Sequence, residues 1–116
     1  MRFPESAIFL QLIKNMAIIY HITTRQQWEA SREKGEHLVP SLADEGLIHC
    51  SEERQIPGVL ERFFGDKDDL VKLTIDSEKL SSPLIYDWSP SIMDTFPHIY
   101  GPINLDAVIA VDKLER

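Results

Sequence analysis

Ala17-Ile18-Ile19-Tyr20-His21-Ile22 is a short β-branched and aromatic run, the pattern of a buried strand. Thr24 with Gln27 three residues on has the form of a capping box, and Trp28 begins a helix that runs to about Lys34 before Gly35 stops it. Leu38, Pro40, Leu42 and Gly46 punctuate an irregular connection, after which Leu47-Ile48-His49-Cys50 reads as a second short strand. Ser51, followed by Glu52 and Glu53, has the composition of a helix N-terminus. Ile56, Val59, Leu60 and Phe63 then recur at i, i+3, i+4 and i+7, which sets an apolar stripe toward the core. Pro57 is tolerated only in a first turn, so this helix starts nearer Gln55 than Ser51, and Gly65 ends it.

Leu70-Val71-Lys72-Leu73-Thr74-Ile75 alternates apolar and polar as a half-buried strand does. A turn through Lys79 to Pro83 leads to a strand over Leu84-Ile85-Tyr86-Asp87-Trp88, residues 89–98 with Pro90 and Pro97 read as a loop, and Ala107–Val111 reads as a buried strand. Two helices among five or six strands, without regular alternation, predict an α+β fold around one mixed or antiparallel sheet.

A chain of 116 residues makes one domain whose core buries roughly two-thirds of the unfolded surface. Met16 opens the first convincing strand, so residues 1–15 read as an N-terminal extension, produced from an upstream start codon, and 16–116 as a single α+β domain. The extension fits a signal peptide poorly: Glu5 breaks the positive flank, Gln11 and Lys14 interrupt the apolar run, and no small-residue cleavage site follows. Its charges also rule out a membrane span of roughly 20 apolar residues.

Charge narrows the partners. Twelve basic against nineteen acidic residues give a net charge of -7, which opposes nucleic-acid binding, and Arg25, Arg32 and Lys34 are interleaved with Glu29, Glu33 and Glu36 as a solvated face. The single cysteine, Cys50, excludes an intrachain disulfide and fits the cytoplasm. Oligomeric state has no signature in the chain.

Two of the four histidines lie in short segments beside glycine, Gly46-Leu47-Ile48-His49-Cys50-Ser51 and Phe96-Pro97-His98-Ile99-Tyr100-Gly101-Pro102. His49 ends an apolar run where a strand meets a loop, and Ser51 is placed to orient its ring. Pro97 and Pro102 stiffen the backbone around Gly101, which holds the His98 imidazole and the Tyr100 phenol in fixed relation. By residue type alone His21 reads as structural, and His37, beside Glu36 in a polar connection, reads as exposed. Cys50 alternates with His49 along the strand and so points the other way, as a small core hydrophobe. A metal site would need His21, His49 and His98 to converge, and no H-x-x-H, H-E-x-x-H or paired-cysteine spacing supports one. Phosphate-binding loops of the Walker or Rossmann type are absent from the sequence.

The order Ile19-Tyr20-His21-Ile22, Trp28, Ser41 through Ser51, Gln55, Leu80 and Phe96 through Pro102 resembles the small family catalogued as domain of unknown function 952. The likeness runs from Met16 to about Val111. That family is grouped with ADP-ribosyltransferase-like folds, so the resemblance implies a small split sheet with a cleft between its halves. In those transferases a histidine or arginine of the first strand holds the ribose of NAD, and His21 would correspond to it here. They also use a late glutamate against an oxocarbenium-like centre. This chain has no glutamate between Glu78 and Glu115, and Asp87 stands where the glutamate is expected.

Residues and resemblance together predict a cytoplasmic domain whose cleft is lined by His21, His49 and His98 as acid–base groups, with Ser51, Tyr100, Gln55 and Asp87 as substrate-binding groups. The ligand implied is a nucleotide-like or ADP-ribose-like small molecule, with no cofactor or metal assigned. The alternative is a non-catalytic interaction domain whose histidines satisfy a polar core.

Overall fold

A computed structural model describes residues 17–115. The expected extension, residues 1–15, lies outside the described residues. The elements are β1 (Ile18–Thr24), α1 (Arg25–Lys34), β2 (Glu36–His37), α2 (Pro40–Glu45), β3 (Ile48–His49), α3 (Ile56–Phe63), β4 (Leu70–Asp76), β5 (Leu84–Ser89), β6 (Asp94–Ile99), β7 (Ile103–Asn104) and β8 (Val108–Lys113), with short 3₁₀ turns before α3, after β4 and before β8.

The fold is α+β, as expected, but in place of the one sheet expected the described strands form three, ordered β1-β4-β8, β3-β6-β5 and the two-stranded β2-β7, with antiparallel pairing throughout. Tyr20 and Ser51 exchange backbone hydrogen bonds of 2.8 and 2.7 Å and so join the first sheet to the second. Alternate residues of β1 and β4, Ile19, Leu73 and Ile75, meet Ile48, Ile99 and Ile103 in a core closed by Trp28. A second cluster packs Ile22, Ile56 and Leu70 beneath α3.

Several expectations need correcting. The connection read as irregular holds α2, with Pro40 at its first turn and Gly46 at φ 81 sending its N–H to the Leu42 carbonyl, so the two punctuating residues are its start and stop. Described helices thus number three α-helices rather than two. Ser51 is not a helix cap, because its backbone is committed to Tyr20; Glu52 takes that place in a reciprocal capping box with Gln55. Residues 89–98 are not all loop. β6 runs through Pro97, whose carbonyl accepts from Cys50 N–H, so its missing donor faces β3 and leaves the β5 ladder whole. β8 is an edge strand and largely exposed, with Ile109 at 50% and Val111 at 41%, instead of buried.

Candidate functional site

Ile48 and Ile99 oppose each other across β3 and β6 and are fully buried, so their neighbours His49 and His98, the next cross-strand pair, turn to the opposite face. The two rings meet edge to face, 4.9 Å between centroids. On the other side of β6, Ile85 opposes His98 and Asp87 is its diagonal neighbour, which brings Asp87 Oδ2 within 2.7 Å of His98 Nδ1. Tyr100, two residues beyond His98, donates its hydroxyl to the same oxygen. The Tyr100 bond first and the His98 bond second hold the Asp87 carboxyl below the usual carboxylate range, and the carboxylate in turn raises the Tyr100 phenol.

These contacts fix where the protons sit. An ionised carboxylate only accepts, so His98 carries its proton on Nδ1 and, when neutral, presents the Nε2 lone pair. His49 Nε2 lies 3.2 and 3.3 Å from the two oxygens of Glu45, at the end of α2, so its N–H is given there and Nδ1 keeps the lone pair.

The row opens on a cleft of ≈ 780 Å³ bounded by β1, the start of α1, α2, α3 and the β5–β6 turn. That volume falls in the range of small-molecule sites. His21, His49, Ser51 and His98 line it among apolar walls that include Val39, Phe63, Ile92 and Phe96. Asp87 and Tyr100 stand behind His98 and reach the cleft through it. Gln55 is elsewhere: its amide donates to Asp94 Oδ2 at 3.0 Å and to the Thr95 carbonyl at 2.9 Å, tying the turn before α3 to β6 beside the Arg54–Asp94 ion pair. These bonds make Gln55 a clamp between the two elements, outside the cleft lining.

His21 donates from Nδ1 to the His49 backbone carbonyl at 2.7 Å, and burial pushes it down to about 4. His37, expected at the surface, is fully buried: β2 pairs with β7, which turns Glu36 out and His37 in against Trp28 and His21. Its Nδ1 lies 2.6 Å from Ser31 Oγ, and burial lowers it to about 3. Nε2 of both His21 and His37 is buried without a hydrogen-bond partner. Cys50 is buried opposite His49, and burial raises its thiol, which removes it as a nucleophile. Among the described residues no group of three or more His, Cys, Asp or Glu could hold a metal ion. No helix among them is long and apolar enough to cross a membrane.

Glu45, Ile92, Phe63 and Phe96 are absent from the sequence-based candidates. The signal for Glu45 is its position four residues before His49, with Gly46 turning the chain between them. Phe63 belongs to the helical stripe assigned to the core, yet is 58% exposed and lines the cleft.

A family model described as "Protein of unknown function (DUF952)" matches residues 22–111. The chain belongs to this family. The matched span contains Glu45, His49, Asp87, His98 and Tyr100, and His21 lies one position before it. The crystal structure of protein CC0527 from Caulobacter crescentus is 30% identical, over 84% of this chain and 86% of that one, with a TM-score of 0.75. The solution NMR structure of CC0527 is 28% identical over 85% of each chain, with a TM-score of 0.71. No curated protein matches the chain.

Proposed function

We propose that the cleft binds a small molecule with a largely apolar body and that His98 exchanges a proton with it through Nε2. The observation that carries this reading is the Asp87–His98 bond: a carboxylate on Nδ1 fixes the tautomer and orients the opposite nitrogen, the arrangement an acid–base imidazole requires. The apolar walls support desolvation of that nitrogen once a ligand is seated. The reduced thiol of Cys50 and the acidic net charge fit a cytoplasmic protein that does not bind nucleic acid.

The ADP-ribosyltransferase-like resemblance supplies a second reading, favoured by the place of His21 among the residues that line the cleft. A pyrophosphate, however, calls for arginines or a row of N–H donors. The lining carries Lys67 and no arginine, and Asp87 is occupied behind His98 rather than offered to an oxocarbenium-like centre. The first reading is therefore the stronger.

A thermal-shift screen of aromatic fragments, mononucleotides and ADP-ribose tests it, since ligands of the native state alone raise its melting temperature. Fragment-induced shifts lost in His98→Ala, with the unliganded protein still folded, support the cleft. Shifts that survive His98→Ala, or losses of roughly 1–3 kcal/mol in stability for His49→Ala and His98→Ala without any ligand response, support the interaction-domain alternative.

A further inference from the structure

We infer that the ligand presents a protonated amine to the row Glu45–His49–His98, an inference that rests on the cleft being a small-molecule site. The hydrogen bonds already made decide what this end of the cleft can offer. His98 gives its Nδ1 proton to Asp87, and His49 gives its Nε2 proton to Glu45, so the neutral rings present only lone pairs, at His98 Nε2 and His49 Nδ1. Ser41, on the same wall, spends its hydroxyl proton on the Leu47 carbonyl at 2.7 Å. Glu45 is acceptor-only, and Asp87 adds a second negative charge behind His98. The lining's cation, Lys67, comes from the turn after α3 and not from this row.

Apart from the Ser51 hydroxyl this end is built of acceptors and carboxylates, and it binds a group that carries several N–H donors and a positive charge. It opposes a phosphate or a carboxylate. The rest of the cleft suits the body of such a molecule, because Phe63 and Phe96 supply aromatic faces that accept an apolar chain and tolerate a cation nearby. The net charge of -7 adds long-range attraction for cations. His98 Nε2 is then the base that meets the ammonium N–H.

Binding of 2-phenylethylamine, 2-phenylethanol, 3-phenylpropionate and ADP-ribose, followed through the histidine ring and Phe96 signals in NMR titrations at about pH 8, above the ordinary histidine range, tests this. The amine should shift His49, His98 and Phe96 and bind about tenfold more tightly than the alcohol or the carboxylate. Glu45→Gln should remove about that tenfold for the amine while leaving the alcohol unchanged, and Glu33→Gln, on the exposed face of α1, should alter neither. If the carboxylate or ADP-ribose binds as well as the amine at these residues, or Glu45→Gln leaves amine binding intact, the amine is overturned and the cleft reading stands. If no probe shifts His49, His98 or Phe96, both fall.

Discussion

Asp87 Oδ2 accepts hydrogen bonds from His98 Nδ1 and from the Tyr100 hydroxyl, so one oxygen of β5 fixes both the tautomer of the central imidazole and the phenol behind it. Replacing Asp87 with Asn removes the charge while keeping the shape. In Asp87→Asn the neutral His98 ring should become a mixture of tautomers, visible in its ¹⁵N shifts, and cleft ligands should weaken by roughly tenfold. Tyr100→Phe keeps the His98 bond and should leave the tautomer as it is.

Stability should fall in acid because of the two buried imidazoles. The unfolded chain protonates its histidines near about 6.5, whereas folded His21 does so only at about 4 and His37 at about 3. Between those values the unfolded state binds more protons, so the stabilisation present above about pH 6.5 is lost as pH falls, by on the order of 3 kcal/mol for His21 alone. Denaturant unfolding from about pH 7 to pH 4 measures this. His37→Leu should flatten the slope, since Ser31 keeps its bond to the Gln27 carbonyl.

Gln55 should matter for folding and not for binding. Gln55→Ala removes the bonds to Asp94 and Thr95 and half of the capping box, and should lower stability by about 1–3 kcal/mol, with ligand affinity unchanged in the folded variant. Loss of affinity without loss of stability would place Gln55 in the site instead.

Cys50 should be silent to thiol reagents in the native protein and react only on unfolding, because burial keeps its thiol protonated and covered. Prompt labelling under native conditions would contradict that burial.

The parts legible in the sequence are those with a local cause. The Thr24 cap and Gly35 stop of α1, the alternation of β4 and the opposite facing of His49 and Cys50 follow from neighbours a few residues apart. What the sequence hides is set by distant partners. His37 is buried because Ile103 pairs with it, and a polar neighbour such as Glu36 masks that. β6 escapes notice because Pro97 reads as a breaker until Cys50 is seen to take its carbonyl. The His49–His98 contact and the diagonal to Asp87 exist only through strand register, so each histidine is visible singly and the row is not.

The claim that the His49–His98 row is the floor of a ligand site is tested most directly by mapping fragment-induced NMR shifts over the whole chain. Shifts centred on His49, Ile92, Phe96 and His98 are predicted, collapsing in His98→Ala. Shifts confined to the exposed face of β8 at Ile109 and Val111, or none on the row, would contradict it.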